Sequence, residues 1–188
     1  DKIVANYMQD VVSVVKLYSY DGEALGRIDL PGLGTASGFR GEQSDSETFY
    51  SFTSYTQPSS IYRYDLETNE SQQIRAPQVK FDPEEYESRQ AFYTSKDGTR
   101  VPIIVSHRKG LEPNGENPTL LYGYGGFNIP LLPSFSVAYA VWMDRGGVVA
   151  IPNLRGGGEY GEAWHEAGKV LNKQTVFDDF IAAAEWLI

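Results

Sequence analysis

The sequence predicts a mixed fold in two parts: short antiparallel strands at the start, then the beginning of a parallel α/β sheet. Three observations carry this. The first third repeats a strand-turn-strand pattern, two short apolar runs further on flank a helical segment, and the chain closes on an amphipathic helix.

Composition sets the outer limits. At 188 residues and 41% hydrophobic, the chain can form one large packed domain or two partial ones. Sixteen basic against 25 acidic residues give a net charge of -9, which opposes binding to nucleic acid or to an anionic membrane surface. No apolar run reaches the ~18–20 residues needed to span a bilayer, and the start lacks a basic-then-apolar secretory signature. The absence of cysteine excludes disulfides, thiol catalysis and thiolate zinc sites. It permits a reducing compartment, so a cytoplasmic location is expected, with secreted or periplasmic settings as alternatives. The two histidines, His107 and His165, lie 58 positions apart with no His-Glu-x-x-His, so neither a metal nor another cofactor is expected.

Along the chain, the first feature is an internal repeat at an offset of 44 residues: Leu17-Tyr-Ser-Tyr-Asp21 falls on Ile61-Tyr-Arg-Tyr-Asp65, and Asp1 falls on Asp45. Each copy continues through a turn into Arg27-Ile-Asp-Leu-Pro31 or Gln73-Ile-Arg-Ala-Pro77. The runs Val12–Tyr20 and Thr48–Tyr55 are rich in β-branched and aromatic residues, and Asp21-Gly22 and Glu67-Thr-Asn69 supply turns. A repeat of ~40–50 residues made of short antiparallel strands is the signature of a β-propeller blade. An ordinary β-meander that happens to repeat Tyr-x-Tyr-Asp is the alternative. Two blades cannot close a propeller, so further blades are expected upstream.

The acidic, proline-containing stretch Val79–Glu87 marks the expected boundary, giving a partial propeller over residues 1–78 and a second domain over 79–188. There, Gln90–Thr94 and Val101–His107 form a hairpin around Asp97-Gly98, followed by a polar loop, Lys109–Asn117. Pro118–Tyr124 and Gly147–Pro152 are short apolar runs bounded by glycine or proline, and are expected to be fully buried strands. Ser136–Arg145 between them can be helical, with Val137, Ala140, Val141 and Asp144 on successive turns, and strand-helix-strand at this spacing predicts a parallel pair. Two helices are predicted at the end, Tyr160–Lys169 and Val176–Ile188. The second opens on a capping-box variant, Thr175 with Asp178, and lays Phe177, Phe180, Ile181, Ala184, Leu187 and Ile188 on the sheet.

Chemistry concentrates in Tyr122-Gly-Tyr124-Gly-Gly-Phe127-Asn128. Its glycines let the backbone turn at the carboxyl end of a strand, where open α/β sheets place ligands. Spacing alone fits a tight structural turn as well as a catalytic loop. Tyr124 adds a phenolic donor suited to developing negative charge, and Phe127 an apolar wall. In α/β-hydrolases the loop leaving the third strand is glycine-rich because its donors must approach the oxyanion closely. Yet no Gly-x-Ser-x-Gly is present. The second constellation, Asn153-Leu-Arg155-Gly-Gly-Gly158-Glu159-Tyr160-Gly161, invites a phosphate-loop interpretation, which fails because no Gly-Lys-Ser/Thr follows and Glu159 brings a carboxylate. A strand-to-helix connection with Arg155 paired to an acid is expected instead. His165, between Glu162 and Glu166, is expected on a solvated helix face, and Asp178-Asp179 to be solvated or structural.

Leu121–Asn128, Asn153–Gly161 and Asn172-Lys-Gln-Thr-Val-Phe-Asp-Asp-Phe180, in this order, resemble the prolyl oligopeptidase family of serine peptidases. The hairpin Phe92–Thr99 resembles the family's entry into its peptidase domain, and the preceding region the end of its seven-bladed propeller. The resemblance implies the end of a β-propeller, about two blades, followed by the N-terminal part of an α/β-hydrolase domain. It also implies acyl transfer to a serine, cleavage of short proline-containing peptides, and a monomeric parent protein. Tyr124 matches the tyrosine that completes the family's oxyanion hole, and Phe127 an aromatic residue of its proline pocket. The serine, acid and histidine belong to segments that would follow Ile188, and neither His107 nor His165 matches that histidine. The start at Asp1 and the stop at Ile188 lead to the expectation of an internal piece, inactive alone. A non-catalytic binding scaffold, an oligopeptidase B or an acylaminoacyl peptidase are the alternatives.

Overall fold

The computed structural model describes residues 2–188, so Asp1, matched to Asp45 in the repeat, lies outside the described residues. The chain divides into two compact units, one running to Phe81 with Pro133–Ser136 added, the other Asp82–Leu132 with Val137–Ile188.

The first unit holds two antiparallel sheets. Strands β1 (Ile3–Gln9), β2 (Val12–Tyr18) and β3 (Ala24–Ile28) form one, and β4 (Thr35–Arg40), β5 (Glu47–Thr53), β6 (Ser60–Asp65) and β7 (Glu70–Arg75) form the other in sequential order. Period-two alternation sends Thr48, Tyr50 and Phe52 of β5 inward. Together with Val15, Leu17 and Ile28 of the first sheet and Ala36, Tyr62 and Tyr64 of the second, Tyr50 and Phe52 make one core. Tyr50 stacks between Phe39 and Tyr62 at centroid distances of 4.8 and 5.1 Å. The hydroxyls reach polar rims, Tyr50 donating to Ser71 Oγ at 3.0 Å and Tyr62 to Gln73 Oε1 at 2.9 Å, so these large rings are buried without orphaned donors.

The repeat is real but its register differs from the sequence match. The 44-residue offset carries β1 onto β5 end to end. Val4 pairs with Leu17 and Thr48 with Tyr64, so the structural counterpart of Leu17 is Tyr64 and not Ile61. The cause is the connection after each first strand. Asp10-Val11 alone joins β1 to β2, both at positive φ (46° and 74°), whereas residues 54–59 join β5 to β6. Paired residues Val4 and Leu17 are 13 positions apart and Thr48 and Tyr64 are 16 apart, so the register slips by three, and an odd slip turns every side chain to the other face. Leu17 and Tyr64 are 2% and 1% exposed, while Ile61 is 39% exposed.

The second unit opens with a 3-10 turn, Pro83–Glu85, capped by Asp82, whose Oδ1 accepts from Glu84 N–H at 3.0 Å. Strands β8 (Tyr86–Thr94) and β9 (Arg100–Arg108) follow as a hairpin closed at Asp97-Gly98, then β10 (Thr119–Leu121), α1 (Val137–Asp144), β11 (Val148–Pro152), α2 (Glu162–Glu166) and α3 (Gln174–Leu187). The sheet order is β10-β11-β9-β8, with β10 and β11 parallel and the other pairs antiparallel. Tyr93, Val101, Ile103, Val105, Val148 and Ala150 form its core with Ala183 of α3.

Three expectations change here, while the helix expected over 136–145 is found as α1. β11 is buried throughout, but β10 is a three-residue edge strand with Thr119 and Leu120 exposed, because only β11 pairs with it among the described residues. Helix α1 turns Ala140 and Met143 inward and leaves Val137 and Val141 exposed, while Asp144 accepts from Tyr86 OH at 3.1 Å. Helix α3 begins before Thr175, with Lys173 at the cap position and no side-chain cap, and Asp178 instead accepts from Gln174 Nε2 at 3.1 Å. Its inward face is Val176, Asp179 and Ala183, while Phe177 and Ile181 are each 53% exposed. The buried Asp179 carboxylate, paired with Arg155, sets that rotation.

Candidate functional site

The loop Tyr122–Asn128 leaves the carboxyl end of β10, and the segment Asn153–Gly161 leaves the carboxyl end of the parallel strand β11 beside it. Parallel pairing thus brings the two glycine-rich constellations together. Tyr122 N–H donates to Ala150 O at 3.1 Å, which fixes the entry of the loop. At its exit Asn128 N–H donates to Gly156 O at 3.1 Å. Between them the backbone is contorted: Gly125, Phe127 and Asn128 have φ of 58°, 54° and 57°. Two successive non-glycine residues in the left-handed region store strain that surrounding contacts must offset. Gly125 also lies against the neighbouring segment, since a Cβ there would sit 2.5 Å from Val176 Cγ1 and 2.9 Å from Arg155 O.

The floor under the loop is anchored by Arg155, which is 5% exposed. Its Nε lies 3.0 Å from Asp179 Oδ2 and its Nη2 2.6 Å from Asp179 Oδ1, a bidentate pair with a carboxylate that is fully buried. Arg155 N–H also donates to Asp179 Oδ2 at 3.1 Å. The other side of the guanidinium reaches the β8–β9 turn, with Nη1 2.5 Å from Asp97 Oδ2 and 3.0 Å from Thr99 Oγ1. Burial pulls the Arg155 pKa down, but Asp179 and Asp97 overcome this and hold it above its ordinary value. Hydrogen bonding from Arg155 holds the Asp97 carboxyl well below the usual carboxylate range. Removing one partner of such a buried pair costs about 3–5 kcal/mol, because the other charge is left uncompensated. The pair explains why α3 turns Asp179 inward, away from the apolar stripe that periodicity favoured.

Four further side chains hold the loop and the chain just beyond it. Lys173 Nζ donates to Gly125 O at 2.7 Å. His165 Nδ1 lies 2.7 Å from Gly156 O and 3.1 Å from Asn128 N, so the ring sits where the loop's exit amide meets that carbonyl. Glu159, 5% exposed, accepts from Leu131 N–H at 3.0 Å, and Asn153 Nδ2 donates to Leu131 O at 2.8 Å, fixing the chain just beyond the loop. Burial raises the Glu159 carboxyl above its ordinary pKa. Of these, the sequence had assigned His165 to a solvated face, and gave no role to Lys173 or Asp179 in the loop. Only the order of the motifs could have hinted at them, since each acts across a gap of about ten to fifty residues.

Tyr124 and Phe127 stand on this clamped loop, 41% and 83% exposed. The loop thus presents a phenolic hydroxyl and an aromatic ring at the surface. His107, by contrast, sits on β9 near the amino-terminal end of β11, at the opposite end of the sheet from the loop, with Nδ1 2.9 Å from Arg108 O. There it borders a separate cavity of about 390 Å³ with Arg89 and Trp186. No cluster of three metal-ligating side chains occurs among the described residues, and no described helix is long and apolar enough to cross a membrane.

Residues 1–77 match the model of the prolyl oligopeptidase N-terminal beta-propeller domain, and residues 133–188 that of the prolyl oligopeptidase family. The chain is 52% identical over 183 residues to a prolyl endopeptidase of Elizabethkingia meningoseptica, covering 97% of this chain and 26% of the relative. It is 40% identical over 192 residues to a prolyl endopeptidase of Dictyostelium discoideum, covering 100% of this chain and 25% of that one. A solved structure from a study of two prolyl endopeptidases superposes with a TM-score of 0.92 at 48% identity, over all of this chain and 27% of the other. Prolyl oligopeptidase B of Galerina marginata, bound to a 35-residue hydrolysis and macrocyclization substrate, superposes with a TM-score of 0.87 at 37% identity, over 98% of this chain and 27% of that one. The chain therefore spans about a quarter of the length of the curated relatives it matches. With a propeller-domain match at one end, a peptidase match at the other and relatives aligned across the whole, the chain belongs to the prolyl oligopeptidase family.

Proposed function

We propose that this chain is an internal portion of a serine-type endopeptidase that cleaves short peptides after proline by acyl transfer. Residues 1–78 supply the end of its propeller and 79–188 the first part of its peptidase domain. Tyr124 donates its hydroxyl to the oxyanion, and Phe127 forms one wall of the proline pocket. The observation that carries this is the Tyr122–Asn128 loop, strained at Phe127 and Asn128 and tied at both ends to neighbouring backbone. A preorganised donor costs no reorganisation as charge develops, which is what oxyanion stabilisation requires. The nucleophile, acid and base come from outside this chain, so the 188 residues alone carry no covalent step. The absence of cysteine agrees with work in a reducing compartment, the cytoplasm, and the parent acts as a monomer on its peptides.

The test is turnover of a proline-containing chromogenic peptide by the full-length protein carrying this chain. Cleavage after proline is expected, with none by the 188-residue chain alone. Tyr124→Phe should lower kcat by ~10²–10³-fold, as when a single oxyanion donor is removed. An unchanged kcat would end the role given to Tyr124, and cleavage after arginine would replace proline specificity with that of an oligopeptidase B.

A further inference from the structure

Tyr124 can serve an oxyanion only if the backbone beneath it stays fixed. Yet Gly125 and Gly126 follow it directly, and glycine loses more conformational freedom on ordering than any other residue. The backbone contacts at Tyr122 and Asn128 hold the two ends of the loop. Its middle is held from the side by Lys173, whose ammonium meets Gly125 O at 2.7 Å and would lie 3.9 Å from a Cβ at Gly126. We infer that Lys173 is a positioning residue for the Tyr124 hydroxyl, acting through the Gly125 carbonyl. This rests on the oxyanion role proposed for Tyr124.

Three observations support it. First, the contact is charge-assisted, which makes it about twice as strong as a bond between neutral groups. Second, Lys173 is half-buried and stands at the start of α3, so the helix whose Asp179 grips Arg155 also carries the ammonium that grips the loop. One rigid element thus sets both the floor and the crest. Third, no carboxylate lies within salt-bridge distance of Lys173 among the described residues, and its hydrogen-bond partner is a neutral carbonyl. Its charge is therefore not cancelled locally, and its field favours negative charge developing above the loop.

The experiment compares Lys173→Met and Lys173→Arg with the unaltered full-length protein. Its readouts are kcat and KM on a proline-containing peptide, inhibition by a peptidyl-prolinal aldehyde, and inhibition by the matching alcohol. The aldehyde adds the serine oxygen to form a hemiacetal whose oxygen occupies the oxyanion position; the alcohol cannot. Lys173→Met should lower kcat by about tenfold or more and weaken the aldehyde by a similar factor, with KM and the alcohol within about twofold. Lys173→Arg, which keeps a cationic donor, should recover most of the loss. Equal weakening of aldehyde and alcohol would mark a merely structural residue and overturn the inference, as would no change in either. If the unaltered protein fails to cleave after proline, the proposed function falls, and amide hydrogen exchange over residues 123–126 decides the tether alone. Faster exchange in Lys173→Met would support it, and unchanged exchange would overturn it.

Discussion

At the scale of single residues, Glu159 shows what burial does to a charge. One carboxyl oxygen accepts from Leu131 N–H and Asn153 Nδ2, but Oε2 is buried without a partner, as is Asn153 Oδ1. An unsatisfied buried acceptor costs about 1–3 kcal/mol, and more when ionised. Burial therefore favours the protonated form and raises the pKa of the folded state. The sign follows: stability from this group is fully present below the ordinary glutamate value of 4.5 and is lost as pH rises through the raised folded value. Glu159→Gln keeps the accepting oxygen, removes the charge and puts a donor in place of Oε2. Its stability relative to the unaltered chain should improve as pH rises from 5 to 8 in urea unfolding. A difference that does not vary with pH would show that Glu159 is not the burdened group. In the sequence Glu159 was legible only as a carboxylate hostile to phosphate. Its burial depends on residues 129–131 folding over it, and no local pattern carries that. Tyr124 and Phe127 were visible because glycines and aromatics form one continuous motif, whereas Lys173 and His165 act on that loop from distant positions.

At the scale of elements, glycines separate turn chemistry from close packing, and the two predict different energies. Gly98, in the β8–β9 turn, has φ of 87° but open space where a Cβ would stand. Gly98→Ala should therefore cost about 1 kcal/mol, the left-handed penalty alone. Gly168, after α2, would place a Cβ 2.4 Å from Gly156 N and 2.5 Å from Arg155 C, all backbone atoms that cannot step aside. Gly168→Ala should cost about 2–3 kcal/mol and shift the floor under Gly125. Urea unfolding of both variants ranks them, and the reverse order would show that the floor is free to move. The same contrast explains which elements were legible. Asp97-Gly98 is a turn signal with a mechanism, and the β8–β9 hairpin followed from it. Asp10-Val11 makes an equally tight turn at positive φ with residues that do not announce one, and this displaced the apparent repeat by three positions. On α3 the ion pair turns Asp179 inward and leaves Phe177 and Ile181 of the expected apolar stripe exposed, while Leu187 keeps its place against the sheet core.

At the scale of the whole molecule, net charge and exposed apolar surface oppose each other. The chain carries a net charge of -9 and an isoelectric point near 4.7, so copies repel at neutral pH. Yet it exposes large apolar side chains on α3, with Phe177 and Ile181 each at 53%, and Leu120 on the edge strand β10 at 36%. An edge strand also offers unpaired backbone groups to another chain. Matched structures are about four times as long, this chain covering 27% of each, so in those proteins much more polypeptide is available to cover such surfaces. For the 188-residue chain by itself, repulsion is the main brake on association, and it weakens as pH falls toward the isoelectric point. Light scattering should therefore show association that grows with concentration and steepens between pH 8 and pH 5. The double variant Phe177→Glu, Ile181→Glu should suppress it, since it adds two negative charges where apolar surface stood. If the chain stays monomeric at pH 5 and ~100 μM, a concentration at which exposed strand edges and apolar surface drive aggregation of partly folded chains, these surfaces are not adhesive. If the double variant associates as strongly as the unaltered chain, the contact lies elsewhere, and the β10 edge becomes the surface to alter.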